Sequence, residues 1–271
     1  MGTLLRPHHA VGVRSVLGGH SVTEATNSAG AQAANGRVLR LACIDSEALP
    51  LFAKSPDGIT RDGYEPEAAA LIASRLGGGP ARIEWVMVPW EEMIPAVRRG
   101  DADAVWCGQG ETPERAALVD FTRPYAVFNE TLVVRADDPA RSPEELAGYR
   151  IGAIKNSTNM KLAETFPGVE LVEFEGEDVW SDMIAATRSG AIDGFVDDDV
   201  VMIPLGREDP DFVEAFTVPT GNRWGVGVAP GNDALREELN AALEGSIADG
   251  ALEAVWKKWM PLLDFPLTKE A

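Results

Sequence analysis

The side chains that most often carry catalytic or metal chemistry are scarce in this chain of 271 residues. All three histidines, His8, His9 and His20, lie near the start, so the remaining chain has no imidazole for proton transfer or metal binding. The two cysteines, Cys43 and Cys107, are too few for a disulfide scaffold and lack the spacing of a zinc site. The sequence therefore points away from histidine-dependent catalysis, and we expect no metal and no cofactor.

The chain is strongly acidic, with 24 Lys+Arg against 43 Asp+Glu and a formal net charge of −19. This charge would repel nucleic-acid phosphates and anionic bilayers alike, so we expect no nucleic-acid partner. The apolar content of 45% is enough to bury a core. No stretch approaches the roughly 18 uninterrupted apolar residues of a membrane-spanning helix.

Residues 1–36 differ from the rest, since they are rich in Ala, Gly, Ser, Asn and His and have no clear periodicity. This composition predicts a disordered or non-native segment. Its best apolar run, 10–13, is shorter than the roughly 7 to 15 residues of a secretory signal. The sequence alone therefore does not establish export.

From Val38 onward, short β-rich runs alternate with stretches in which apolar residues recur every three or four positions. Such runs predict strands and such spacing predicts helices. The predicted strands are 38–44, 83–88, 102–107, 131–134, 150–154, 169–174 and 192–196, and the predicted helices are 65–76, 90–99, 113–119 and 179–188. Strands that alternate with helices indicate an α/β fold built on parallel sheets.

One segment of the chain is repeated. Residues 90–103 read WEEMIPAVRRGDAD and residues 180–193 read WSDMIAATRSGAID, with seven identities among 14 aligned positions. Amphipathic patterning explains the apolar matches by chance, but shared Arg, Gly and Asp at fixed offsets favour a duplicated lobe. The segments that follow, 106–110 and 196–199, would then be equivalent. Because ligands bind beyond the carboxyl ends of strands in open α/β sheets, the repeat predicts a cleft between two lobes.

Several short motifs follow one another over residues 37 to about 262. They are GYEPE at 63–67, WEEMIPA at 90–96, GDAD at 100–103, TPER at 112–115, DFTRPY at 120–125 and LAGYRIG at 146–152. In this order and spacing, they resemble the family 3 extracellular solute-binding proteins, the polar-amino-acid receptors of ATP-driven importers.

The resemblance implies a two-lobed periplasmic-binding-protein-like fold of type II, with two chain crossovers at a hinge. Lobe 1 would comprise 37–131 plus 229–265, and lobe 2 would comprise 132–228. It also implies a monomer that is not an enzyme and that binds a small zwitterionic amino acid or related polar solute in the cleft. The ligand would pass to an ABC-transporter membrane permease. The place of action would be periplasmic or extracellular, free or membrane-tethered.

Two charged residues match the ligand-binding positions of that family. Arg115, in the TPER motif, would grip the ligand α-carboxylate, because a planar guanidinium offers two parallel donors. Asp198 would accept the α-ammonium group. An exposed helix arginine and a solvated acidic turn are the competing interpretations. Alternation along a strand would turn Asp197 and Asp199 away from Asp198.

Other positions are implied with open alternatives. Ser157, Thr158 and Asn159 would open a lobe 2 helix near the carboxylate, although an ordinary N-cap explains Ser157 equally well. Trp90 would line one wall of the pocket or be buried in the core. Its repeat partner Trp180 is expected in the core.

The sequence departs from the family pattern near the expected side-chain pocket. The pocket aromatic after the first strand is missing, because Glu47 or Ala48 stands there and Phe52 is slightly displaced. The Ser/Thr-rich segment before the arginine is replaced by CGQG at 107–110, which includes Gln109 and Gly110.

These changes leave the ligand side chain open. Asp45, Glu47 and Gln109 could meet a polar or cationic side chain, or the acids could be turn carboxylates. Cys43 and Cys107 would lie on neighbouring strands, where a disulfide needs Cα atoms within about 7 Å.

Two other functions compete with transport. One is a dehydratase on the same scaffold that acts on a cyclohexadienyl or prephenate-like acid, with Glu47 as its proton-transferring group. The other is a stand-alone sensory module.

Overall fold

The computed structural model describes residues 36–55, 60–176 and 178–267, so the segment 1–36 lies outside the described residues except for its last position. The strands are β1 Arg37–Cys43, β2 Ala53–Lys54, β3 Arg61–Asp62, β4 Ala81–Met87, β5 Ala104–Val105, β6 Asp120–Phe121, β7 Ala126–Arg135, β8 Arg150–Ile154, β9 Glu170–Phe174, β10 Gly194–Asp198, β11 Phe212–Trp224 and β12 Gly227–Val228. The α-helices are α1 Tyr64–Ala73, α2 Met93–Arg99, α3 Pro113–Ala116, α4 Thr158–Ala163, α5 Val179–Ser189, α6 Asp199–Glu208, α7 Asp233–Ala248 and α8 Ala251–Trp259. Two 3₁₀ turns lie at Trp90–Glu92 and Pro143–Glu145.

Ten of the described strands form two five-stranded sheets, each of which supports one lobe, and β2 pairs with β3 in a separate two-stranded sheet. The lobe 1 sheet has the order β4-β1-β5-β12-β6, and the lobe 2 sheet has the order β11-β7-β10-β8-β9. The chain passes from lobe 1 to lobe 2 between β6 and β7, and it returns between β11 and β12. The predicted two-lobed α/β fold with two crossovers is confirmed.

The sheets are mixed, where the alternation of elements predicts parallel sheets. Three neighbouring strands in each sheet are parallel, namely β4-β1-β5 and β10-β8-β9. The hinge strands run the other way, because β7 pairs antiparallel with β10 and β11, and β12 pairs antiparallel with β5 and β6. The chain therefore adds antiparallel strands where it crosses between the lobes.

Strand β11 is the longest strand that sequence patterning missed. It spans 13 residues and pairs with β7 through two irregularities, one of them between Val218 and Asn222. Pro219 and Gly221 lie in that stretch, and both residues usually indicate a turn. The long antiparallel pairing with β7 outweighs these local signals.

The repeated segment adopts the same geometry in both lobes. Helix α2 ends at Gly100 and helix α5 ends at Gly190, with φ values of 82° and 75°. Both values lie in the left-handed region, which glycine adopts without a Cβ clash. The glycine shared by the two copies therefore marks the same helix stop.

The aspartate shared by the two copies fastens the end of each repeat to a neighbouring strand. Asp103 Oδ2 accepts the backbone N–H of Arg40 at 2.8 Å, and Asp103 Oδ1 accepts Arg40 Nη2 at 2.6 Å. Asp193 receives the same two bonds from Arg150, at 2.8 and 3.0 Å. Each arginine lies on the strand that leads towards the cleft. These aspartates therefore hold the strands of each sheet in register.

The lobe 1 core contains a cluster of large aromatic side chains. Tyr125 packs against Trp106, with ring centroids 5.0 Å apart, and against Trp224 at 6.1 Å. Tyr64 makes an edge contact with Trp256 at 5.3 Å. Trp256 belongs to α8, and both α7 and α8 pack against α1. The C-terminal helices therefore return to cover lobe 1.

A buried carboxyl group lies within this aromatic cluster. Glu65 is fully buried, and the Tyr125 hydroxyl donates to its carboxyl oxygens at 3.1 and 3.0 Å. The Tyr125 oxygen also accepts the N–H of Gly108 at 3.0 Å. Burial raises the pKa of Glu65 to about 8, although hydrogen bonding at Tyr125 and Gly108 partly opposes this. The Gly108 loop is thus tied to a group that titrates near neutral pH.

We predict that Asp193→Ala lowers the free energy of unfolding by about 1–3 kcal/mol. The change leaves the N–H and guanidinium of Arg150 without their carboxylate acceptor. Asp182→Ala is the matched control, because Asp182 lies exposed on α5. Urea unfolding followed by tryptophan fluorescence compares the variants with the wild type. Equal stability of the two variants would contradict the role given to Asp193.

We predict that Glu65→Gln weakens the pH dependence of stability between pH 5 and 8. The raised pKa means that the folded state holds the Glu65 proton more tightly than the unfolded state does, so wild-type stability falls as pH rises through this window. The loss attributable to Glu65 is on the order of 3 kcal/mol. Urea unfolding at pH 5, 6.5 and 8 measures it. Identical pH profiles for the variant and the wild type would refute the prediction.

Candidate functional site: a closed cavity between the lobes

A cavity of about 70 Å³ lies between the two lobes. Lobe 1 contributes Ile44, Ser46, Ala48, Leu51, Phe52, Trp90, Cys107, Gly108, Gly110 and Arg115. Lobe 2 contributes Ile154, Ser157, Thr158, Asn159, Val179, Trp180, Asp197, Asp198 and Val201. We call this space the inter-lobe cavity. It lies next to the carboxyl ends of β1 and β10, where an open α/β sheet presents its ligand site.

Arg115 is held in place by contacts on three sides. Thr112 caps α3, and its Oγ1 accepts the N–H of Arg115 at 3.2 Å. The guanidinium donates from Nη1 to Gly110 O at 2.8 Å and from Nη2 to Asn156 O at 3.3 Å. It also lies over the ring of Trp90, 5.5 Å from the centroid. Since a guanidinium has five N–H donors, some remain for an anion.

The Arg115 side chain is half-buried, and no described carboxylate forms an ion pair with it. Burial lowers the pKa of Arg115, and the charges of Asp198 and Glu114 oppose this shift. Among the residues that the structure describes, none forms an ion pair with Arg115. A guanidinium in such a site attracts an anionic group.

Asp198 lies on the opposite wall, at the end of β10 and the start of α6. It is 8% exposed, and its Oδ1 accepts Nδ2 of Asn159 at 2.9 Å. Burial raises the pKa of Asp198 well above its usual range, and the nearby charge of Asp197 adds to the shift. The described part of the chain offers it no ion-pair partner. A cation in the cavity would stabilise its ionised form.

Asp197 also lines the cavity, contrary to the alternation expected along a strand. The reason is that β10 stops at Asp198, where the backbone turns into α6. Asp197 Oδ1 accepts the N–H of Asp198 at 2.7 Å, and burial raises the pKa of Asp197 to about 7. Asp199 bonds instead to Asn129 at 3.0 Å. The cavity therefore has two adjacent carboxyl groups on its lobe 2 wall.

The start of α4 contributes three neighbouring residues with different roles. Ser157 is an N-cap: its Oγ accepts the N–H of Met160 at 3.0 Å and donates to Ile154 O at 2.6 Å. Asn159 orients Asp198. The methyl group of Thr158 lies so close to Gly110 that a Cβ at position 110 would approach it to 3.3 Å. Gly110 therefore allows the two lobes to meet beside Arg115.

The aromatic walls come from both lobes. Trp90 and Phe52, both predicted pocket residues, line the cavity from lobe 1. Trp180, expected in the core, packs against the core through an edge contact with Phe195 at 5.6 Å and also lines the cavity from lobe 2. Trp90 and Trp180 open the two copies of the repeat. The repeat itself was therefore the signal that could have identified Trp180.

Three predicted site residues lie outside the cavity lining. Asp45 pairs with Lys54 Nζ at 3.4 Å, and Glu47 Oε1 accepts the N–H of Lys54 at 2.6 Å. Gln109 is 3% exposed and borders a neighbouring groove that also includes Trp90 and Arg115. Its Oε1 has no hydrogen-bond partner within the described ranges. Glu47, the proton-transferring group required by the dehydratase alternative, is thus engaged elsewhere.

The two cysteines lie close together beside the cavity. Cys43 and Cys107 are buried free thiols with Sγ atoms 2.8 Å apart. The described His, Cys, Asp and Glu residues form no group suited to a metal ion. None of the described helices is long and apolar enough to cross a membrane.

Comparisons with known proteins agree with this geometry. A family model of bacterial extracellular solute-binding proteins, family 3, matches residues 41–262. The chain is 32% identical over 205 residues to ABC transporter arginine-binding protein 1 of Escherichia coli (strain K12), covering 73% of this chain and 82% of the relative. It is 27% identical over 209 residues to ABC transporter glutamine-binding protein GlnH of Bacillus subtilis (strain 168), covering 76% of each.

A solved structure of an ancestral arginine-binding protein bound to arginine has the same fold. It is 27% identical, covers 82% of this chain and 97% of its own, and superposes with a TM-score of 0.73. These relatives are named as binding proteins. With a family match over most of the sequence and two lobes that close on a charged cavity, the chain belongs to the bacterial extracellular solute-binding proteins, family 3.

Proposed function

We propose that the inter-lobe cavity binds an amino acid through both of its charged ends and that the protein delivers it to the permease of an ABC importer. One observation carries the proposal. Arg115 and Asp198 line the same cavity from opposite lobes, and neither has an ion-pair partner among the described residues. An α-amino acid supplies the missing carboxylate and the missing ammonium in a single small molecule.

Each end of the ligand has a distinct recognition group. Arg115 takes the α-carboxylate, since its remaining donors can form parallel charge-assisted hydrogen bonds. Asp198 takes the α-ammonium, supported by Asn159 and by the adjacent carboxyl group of Asp197. An ammonium ion beside the two acids compensates the burial that raises both pKa values.

The two binding groups also explain how a ligand controls closure. In the closed arrangement, Arg115 Nη2 reaches Asn156 O at 3.3 Å and Glu114 pairs with Lys161 at 3.1 Å, so both contacts cross between the lobes. A ligand bound to Arg115 on lobe 1 gains the Asp198 contact only when lobe 2 closes. The ligand stabilises the closed arrangement by the amount by which its binding free energy to the closed arrangement exceeds that to the open one.

The names of the relatives support amino-acid transport. They include an arginine-binding protein and a glutamine-binding protein of ABC transporters. In the proposed function, the transporter receives the ligand from the closed binding protein. Delivery to a permease requires action on the outer side of the cytoplasmic membrane, either free in the periplasm or tethered to that membrane. One chain supplies all the residues that line the cavity, so a monomer is sufficient for binding.

We predict that Arg115→Ala weakens amino-acid binding by at least about 100-fold, because it removes the partner of the α-carboxylate. Arg115→Lys should recover only part of this loss, since an ammonium group lacks the planar pair of donors. Asp198→Asn should weaken binding by at least about tenfold. Isothermal titration calorimetry, on protein freed of bound ligand by unfolding and refolding, measures these affinities.

Exposed residues of the same types provide the controls for these variants. Arg82→Ala removes an exposed arginine on β4 that pairs with Glu84, and Asp182→Asn changes an exposed carboxylate on α5. Both should bind as the wild type does. Unchanged affinity in Arg115→Ala, in a protein with a normal melting curve, would rule out the proposed carboxylate site.

A further inference from the structure

We infer that the ligand is a neutral α-amino acid with a compact aliphatic side chain, such as valine, leucine or isoleucine. This inference rests on the proposed function and adds the ligand class. It departs from the polar or cationic side chain expected from Asp45, Glu47 and Gln109. It also differs from the arginine and glutamine named for the relatives.

The charged groups that line the cavity are all required by the two ends of the ligand. They are Arg115, Asp197 and Asp198. The two aspartates are adjacent, with Asp198 buried and Asp197 half-buried, and the charge of Asp197 disfavours ionisation of Asp198, so together they match a single ammonium group. A further charge on the ligand side chain would be buried without an opposite charge, which is strongly unfavourable.

The rest of the wall is mainly apolar. Its side chains are those of Ile44, Ala48, Leu51, Phe52, Trp90, Cys107, Ile154, Val179, Trp180 and Val201. Apart from the residues at the start of α4, the uncharged polar side chain in this wall is Ser46, whose Oγ lies 3.3 Å from Asp178 Oδ1. A ligand amide would therefore lose its hydrogen bonds to water and find few replacements.

Strand β3 places a positive charge behind the part of this wall that the segment between β1 and β2 forms. The guanidinium of Arg61 lies 4.9 Å from the centroid of Phe52 and donates to Ile44 O at 2.8 Å and Ser46 O at 3.0 Å. Arg61 is 8% exposed, and no described carboxylate pairs with it. The acids of the segment between β1 and β2, Asp45 and Glu47, contact Lys54 outside the cavity. A cationic ligand side chain would therefore meet the positive charge of Arg61 behind Phe52.

The size of the cavity favours a compact ligand. A buried water requires roughly 10–15 Å³ of such space, so about 70 Å³ corresponds to roughly five waters. The aromatic side chains of Phe52, Trp90 and Trp180 limit its extension. A short branched side chain fills such a space with apolar contacts, whereas the long chain of arginine requires the lobes to separate.

Calorimetry with refolded, ligand-free protein tests the inference, using valine, leucine, isoleucine, glutamine, glutamate, histidine, lysine and arginine. We expect one aliphatic amino acid to bind at least tenfold more tightly than every polar or charged one. If arginine, lysine or glutamine binds most tightly and binding still depends on Arg115, the inference is overturned while the proposed function stands. If no amino acid binds, both are overturned.

Two variants of one wall residue provide an independent test. Ala48→Asp adds a carboxylate to the side-chain wall, so leucine affinity should fall at least tenfold and arginine affinity should rise at least tenfold. Ala48→Phe adds bulk without charge, so the affinity of the protein for free leucine should fall more than its affinity for free alanine. Leu49→Asp is the matched control, because Leu49 is 58% exposed and lies outside the cavity.

Melting curves verify that each variant is folded, and the two changes at Ala48 are read separately. If Ala48→Asp does not fold, Ala48→Phe alone decides the position. Leucine affinity that stays at the wild-type value in a folded Ala48 variant would overturn the inference.

Discussion

Two charged groups that face one cavity from different lobes, the half-buried Arg115 and the buried Asp198, are the constraint around which this protein is built. An isolated charge in a protein interior is unfavourable unless hydrogen bonds or an opposite charge compensate it. Arg115 has the carbonyl oxygens of Gly110 and Asn156, and Asp198 has the amide of Asn159. These contacts orient the two groups and leave their charges unpaired by the described residues. The protein thus reserves its strongest electrostatic interactions for a ligand.

The scaffold must hold these groups in place while the lobes move. Within each lobe, an aspartate bridges the end of the repeated helix to a parallel strand, through Arg40–Asp103 in lobe 1 and Arg150–Asp193 in lobe 2. The Tyr125 hydroxyl bonds to both the buried Glu65 carboxyl group and the N–H of Gly108, and so fixes the Gly108 loop. Movement is therefore left to the crossovers between the sheets, and each lobe can move as a rigid unit.

In the proposed function, charged groups recognise the two ends of the ligand, and the cavity wall recognises its side chain. In the proposed function, Arg115 and Asp198 bind the two ends of the zwitterion, and this part of the cavity suits any α-amino acid. Under the same proposal, selectivity depends on the remaining wall, where Ala48 stands near the position of the expected pocket aromatic and Arg61 places a positive charge behind Phe52. A family scaffold can change its ligand in this way without altering the residues proposed to bind the charged ends of the ligand, because the two parts of the site use different residues.

The sequence alone determined features that depend on local chemistry. Gly100 and Gly190 stop two helices because the left-handed conformation favours glycine, and Thr112 with Pro113 begins the helix that presents Arg115. The repeat and the ordered motifs were enough to predict a two-lobed α/β fold.

Only the tertiary structure decided which side chains share the cavity. Asp197 enters it because β10 ends one residue later, and Trp180 lines it because the start of α5 meets lobe 1, where Ser46 Oγ lies 3.3 Å from Asp178 Oδ1. Asp45 and Glu47 leave it because Lys54 holds them on the outside. Such outcomes depend on strand ends and on partners distant in the sequence. Residue periodicity describes neither strand ends nor distant partners. The two-lobed fold was therefore predictable from the sequence, while the set of side chains that line the cavity was not.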